Sequence, residues 1–115
     1  MISVEQKIRD FQERHRGFSR LRAFRVGFPN PALSSPEHSV TIELQSEDGA
    51  KSVTTRFTGV QRLRLGDFNP GMGCYLEVRS VANDQLEALR YQVFNSEQDL
   101  TLSFYCWDFE TAYRS

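Results

Sequence analysis

Few residues of this chain have the chemistry of a catalyst, and their spacing keeps them apart. Neither His15 nor His38 has a second ligand at metal-binding distance, since there is no His-Glu-x-x-His and no Cys-x-x-Cys, and Cys74 and Cys106 lie far apart in sequence. His15 ends an apolar-faced segment, where capping or burial suits an imidazole, and His38 follows Glu37 after a proline-rich stretch. Asp108 and Glu110 have same-face spacing in a strand, which does not make them a glycosidase pair, so they read as a solvated strand end. Gly71-Met72-Gly73 lacks the third glycine of a nucleotide loop, follows Pro70 and leads into a strand instead of a helix. Its glycines suit a compact turn with positive φ. With no nucleophile beside a base, no metal set and no cofactor motif, the expectation is a protein that is not an enzyme and carries no cofactor or metal.

One segment departs from a half-buried pattern. In Leu100-Thr101-Leu102-Ser103-Phe104-Tyr105-Cys106-Trp107-Asp108-Phe109 the even positions make a core face, and Tyr105, Trp107 and Phe109 line the opposite one. In the first reading this is a central strand whose second face lies under a helix, so that Val4, Ile8 and Phe11 pack on the three rings. The other makes Tyr105, Trp107, Asp108, Phe109 and Glu110 a binding surface, with aromatic anchors beside acids that suit a basic protein partner or a homodimer. Arg62 and Arg64 alternate with Leu63 and Leu65 as a small cationic strip, and Arg20 and Arg22 make a second. No Lys/Arg-Gly-aromatic run accompanies the rings, so they do not read as an RNA platform.

The elements that must position these residues come from a chain of 115 residues, 39% hydrophobic and 25% charged, which is ordinary composition for one domain spanning residues 1–115. A chain this long buries roughly two-thirds of its unfolded surface and needs no staple. The formal net charge of −1 excludes the overall electrostatic footprint of a nucleic-acid binder, but residues 1–30 carry +4 and the remainder −5. Met1 leads into Ile2-Ser3-Val4-Glu5 without the pattern of a signal peptide, and no apolar run approaches the ~20 residues of a membrane span. A cytoplasmic protein with two reduced core cysteines is expected, without membrane or nucleic-acid partners.

Ser3 and Gln6 have capping-box spacing, and Val4, Ile8, Phe11 and His15 fall on one helical face before Gly17 ends it. From residue 18 the period becomes two, with Leu21 and Ala23 out of phase with Phe24 and Val26, which predicts a bulge near Ala23. Pro29, Pro31 and Pro36 enforce a loop, Asp48-Gly49 joins two alternating runs as a hairpin, and Gly59 marks a bend. Further runs lie around Leu63–Leu65, Cys74–Val78, Leu89–Val93 and Leu100–Cys106, and Leu86–Arg90 would also suit a helical turn. The pattern predicts an α+β fold in which one N-terminal amphipathic helix packs on about seven short, mainly antiparallel strands, as an open sheet or a partial barrel.

The stretch Arg56-Phe57-Thr58-Gly59-Val60-Gln61-Arg62-Leu63-Arg64-Leu65-Gly66-Asp67-Phe68-Asn69 resembles the middle of small bacterial proteins assigned as immunity factors of polymorphic toxin systems. In those, a strand ending Phe-x-Gly-Val precedes Leu-x-Leu and an aromatic-rich turn. Extended through Tyr75, it also resembles uncharacterised bacterial proteins. The first resemblance implies a small α+β protein that binds a toxin and blocks it, and it carries over no functional residue. The leading expectation is therefore an interaction protein that occupies a basic partner. An alternative is a small-molecule cup whose mouth includes Phe68, Asn69, Gly71 and Gly73, and a structural dimer is a third.

Overall fold

The computed structural model describes residues 4–27, 38–66, 73–81, 90–95 and 101–114. The elements are α1 (Val4–Arg14), β1 (Phe18–Gly27), β2 (Ser39–Ser46), β3 (Ser52–Thr58), β4 (Gln61–Leu65), β5 (Leu76–Ser80), β6 (Tyr91–Asn95), β7 (Leu102–Cys106) and β8 (Asp108–Arg114). They make one helix and two open four-stranded sheets, ordered β1-β2-β3-β8 and β4-β7-β6-β5, with antiparallel pairing throughout. Among the described residues no barrel closes; an isolated bridge between Arg20 and Gly73 links the start of β1 to the chain before β5. The α1 helix is too short to cross a membrane.

Most local signals act where the residue pattern puts them. Gly17 takes φ +85° after α1, the β1 register shifts between Phe18 and Arg20 and again between Leu21 and Ala23, and Gly49 takes φ +75° in the β2–β3 turn. That turn is tied by Asp48, whose carboxylate accepts from the Ser46 hydroxyl and the Ala50 amide. Ser3, the proline loop, Leu89 and the run Leu86–Leu89 lie outside the described residues.

The strand count differs from expectation because the last aromatic run is two strands. Chain 52–65 and chain 102–114 pair with each other along their lengths, β3 with β8 in the first sheet and β4 with β7 in the second. Both bend where they change sheets: Gly59 takes φ +65°, and the Trp107 amide donates to the Thr58 carbonyl at 3.0 Å. At the bend the inward-facing series slips by one residue on each strand. Val53, Thr55 and Phe57 are followed inside by Val60, and Leu102, Phe104 and Cys106 by Phe109.

The slip fills the space between the sheets with rings. Phe109 meets Phe11 at 5.2 Å, Phe57 at 5.8 Å and Tyr91 at 5.0 Å between ring centroids, and Phe57 meets Phe104 at 5.0 Å. Helix α1 packs on this cluster and against β5. Cys74, in the chain just before β5, and Cys106, in β7, are both buried.

His15 anchors the helix end. Its Nδ1–H donates to the Phe11 carbonyl at 2.8 Å, so Nε2 accepts from the Thr55 hydroxyl at 2.8 Å, and Thr55 in turn accepts from Thr111 at 3.2 Å. This chain satisfies the fully buried Thr55 and ties α1 to β3 and β8. Burial pushes the His15 pKa down from 6.5 to about 4, the Phe11 carbonyl opposes the fall, and Arg14 adds to it. The neutral ring is therefore the folded form. Because the unfolded chain takes up the proton first, stability is full above pH 6.5 and falls as pH drops toward 4, by up to about 3 kcal/mol from this residue. Urea melts of wild type and His15→Gln at several pH values check this: the wild-type advantage should be largest near pH 7.5 and shrink steadily below pH 6.5. An advantage that stays constant with pH would exclude the buried neutral ring.

Candidate functional site

The bend that joins the two sheets is also where the candidate residues lie, and it separates them. Phe109 faces inward and is 4% exposed, at the centre of the aromatic cluster. Tyr105 lies half-buried on the outer face of the second sheet, across from Gln61 and Gln92. Trp107 occupies the corner and is 38% exposed. The expected single stripe of Tyr105, Trp107 and Phe109 is thus corrected to one core ring and two surface rings. The physical cause is the residue gained at the corner, which reverses the inside–outside alternation after Cys106. The helix covers Phe109 through Phe11, as the packing reading expected, but the ring contacts do not carry it over Tyr105 or Trp107.

Each of these rings carries a cation from the same chain. The Arg90 guanidinium lies 3.8 Å from the Trp107 ring centroid, Arg62 lies 5.7 Å from Tyr105, and the Lys7 ammonium lies 4.8 Å from Phe109. Backbone contacts explain the first pair: Arg90 donates its amide to the Cys106 carbonyl and accepts from the Val81 amide, which sets its side chain beside the next residue, Trp107. A bulge explains the second. Between Gln61 and Arg64 the β4 register shifts, and Arg62 takes φ +56°, a left-handed conformation uncommon outside glycine.

Both acids also stand beside cations. Asp108 pairs with Lys7, a half-exposed ion pair that contributes at most about 1 kcal/mol. Exposed Glu110 stands directly across the ladder from exposed Arg56. Between α1 and the start of β8 runs a groove of about 600 Å³ lined by Lys7, Arg14, Arg90, Asp108 and Glu110, so its charges are mixed.

Of the proposed ligand loop, Phe68, Asn69 and Gly71 lie outside the described residues. Gly73 is exposed and bridges Arg20 in antiparallel fashion, without the positive φ expected of a turn glycine. Among the described residues no three His, Cys, Asp or Glu side chains gather as a metal site. Burial pushes the Cys74 and Cys106 thiols up to about 12, which keeps both protonated and poor nucleophiles at neutral pH.

This arrangement of helix, bent ladder and corner extends over the same residues as a known family. The family model described as Immunity protein PIM8 matches residues 3–112. The chain belongs to the PIM8 immunity protein family. No curated protein and no solved structure matches it significantly. The resemblance read from residues 56–69 therefore extends through the PIM8 helix, both sheets and the Trp107 corner.

Sequence reasoning missed Arg90 and Lys7, which the PIM8 fold brings to Trp107 and Asp108. Arg90 carried no signal, because its partner ring lies in another strand and contact depends on sheet order. Arg62 was visible in the cationic strip, though its left-handed backbone was not.

The two ring environments give opposite expectations for truncation. Phe109→Ala should cost about 3–5 kcal/mol, because it empties the centre of the aromatic cluster. Trp107→Ala should leave the far-UV circular dichroism unchanged and cost less than half as much in denaturant melts. Equal losses would place Trp107 in the core.

Proposed function

We propose that this PIM8 family member is a non-enzymatic immunity protein that binds a toxin polypeptide and blocks it by covering part of its surface. It acts in the cytoplasm, with Tyr105, Trp107, Asp108 and Glu110 at the contact and Phe109 supporting them from below. The observation that carries the assignment of the surface is Trp107, a large ring left 38% exposed at a rigid corner, pinned through its amide to Thr58 and flanked by Arg90. An aromatic side chain held in one place loses little freedom on association and buries much apolar area, which is how interface anchors act. Family membership supports the toxin as the kind of partner. The expected basic character of that toxin rested on Asp108 and Glu110 as free acids. Lys7 now pairs with the first, and Arg56 faces the second, which weakens that part of the expectation.

A growth test decides the reading. Immobilised chain is used to capture its partner from host extract, and each captured polypeptide is expressed in cells that lack the chain. One of them should arrest growth, and co-expressed wild type should relieve the arrest through a direct complex. Trp107→Ala, still folded, should bind about 30-fold more weakly, the size of an anchor residue. If no captured polypeptide is toxic, or if only a second copy of the chain is retained, the immunity reading fails.

A further inference from the structure

We infer that the partner presents an acidic surface to the outer face of the second sheet, where Arg62, Arg64, Arg79 and Arg90 surround Tyr105 and Trp107. The inference rests on the binding reading above and names the partner's chemistry.

Strand register sets out this face. One row runs Gln61, Tyr105, Gln92, Arg79 across β4, β7, β6 and β5, and the next runs Arg64, Ser103, Phe94, Glu77. Arg90 and Trp107 stand at the corner end. All four arginines are exposed; the two rows themselves hold Arg64, Arg79 and one acid, Glu77, and Arg90 shares the groove beside α1 with Asp108 and Glu110. The outer face of the first sheet differs: its Arg25 and Arg56 share their row with Glu110, and Arg22 is ion-paired to Glu43 at 3.3 Å. Arg20, across from Gln45, is exposed on that first face as well, so what sets the second face apart is that Arg62 and Arg90 lie over its surface rings Tyr105 and Trp107.

Three of the four arginines are also held in place before any partner arrives. Arg90 is stacked on Trp107, Arg62 is aimed over Tyr105 by the β4 bulge, and the Arg79 Nε donates to Gln92. Preorganised guanidinium forks lose little freedom on binding, and their paired donors match carboxylate oxygens. A left-handed non-glycine residue at an edge bulge re-aims a side chain at some cost to the backbone, and here the side chain it aims belongs to this cluster. Arginine, tryptophan and tyrosine are also the residue types that dominate interface energetics. Carboxylates on a protein fit this face better than a nucleic acid does, because the chain's fifteen acids repel an extended polyanion more than they repel a compact acidic patch docked over the rings.

Trp107 is the only tryptophan in the chain, so its emission reports on the face directly. Full-length protein is titrated with a decaglutamate peptide, a decalysine peptide and a ten-residue thymidine oligonucleotide. Decaglutamate should change the emission saturably and weaken with added salt, and decalysine should leave it unchanged. Arg64→Glu/Arg79→Glu and Arg62→Glu/Arg90→Glu, each shown to be folded by circular dichroism, should each weaken the decaglutamate response at least about tenfold. No response to decaglutamate, a saturable response to decalysine, a tighter response to the oligonucleotide, or insensitivity to both double variants overturns the inference. The growth assay separates this from the wider reading. If wild type protects and the double variants protect equally, the acidic-partner inference fails and the immunity reading stands. If wild type does not protect, the immunity reading fails and the peptide titrations decide the surface on their own.

Discussion

The fold depends on two strand runs that each belong to both sheets. Chain 52–65 and chain 102–114 leave one sheet and enter the other while staying hydrogen-bonded to each other, so the bend must occur on both at the same level. A bend of this kind adds a residue to the alternation, and every side chain beyond it changes face. Phe109 goes inside for this reason, and Trp107, the residue at the step, is left on the corner. The aromatic cluster between the sheets and the exposed ring on the surface are two results of one backbone event.

Helix α1 completes the core through unlike contacts. Phe11 supplies the apolar contact, meeting Phe109 and Phe57 and stacking on His15 at 3.8 Å. His15 supplies direction, because its two nitrogens have fixed partners on α1 and β3 and can satisfy both only in one tautomer. Lys7 adds a surface tie to Asp108 and Phe109. A helix of this length does not hold itself together in water, so these contacts decide its existence as well as its position.

Charge is distributed with equal consequence. Arginine and lysine side chains lie over the aromatic rings at and near the corner, so surfaces that look apolar or acidic in sequence are mixed or basic in space. For a member of an immunity protein family this bears on how a partner is selected. On the proposed surface, aromatic area would supply burial and the surrounding guanidinium groups would set the rate and orientation of encounter.

Signals that act over a few residues were legible in the chain: the apolar face of α1, the stop at Gly17, the bulge beside Ala23, the Asp48-Gly49 hairpin, the bend at Gly59 and the resemblance carried by residues 56–69. These follow from backbone preferences and short-range periodicity, which residue types impose wherever they occur. The second half of the corner was not legible. The step at Trp107 has no glycine or proline, so alternation alone carries Tyr105, Trp107 and Phe109 onto one face. Only pairing with the already bent strand at Gly59 forces the slip, through the hydrogen bond from Trp107 to Thr58. Likewise, Arg90 reaches Trp107 and Lys7 reaches Asp108 because sheet order and helix docking bring distant residues together. The sequence by itself determined the elements and their turns; the tertiary structure decided which ring is core, which is surface and which charges stand beside them, because those depend on contacts between segments that no local pattern encodes.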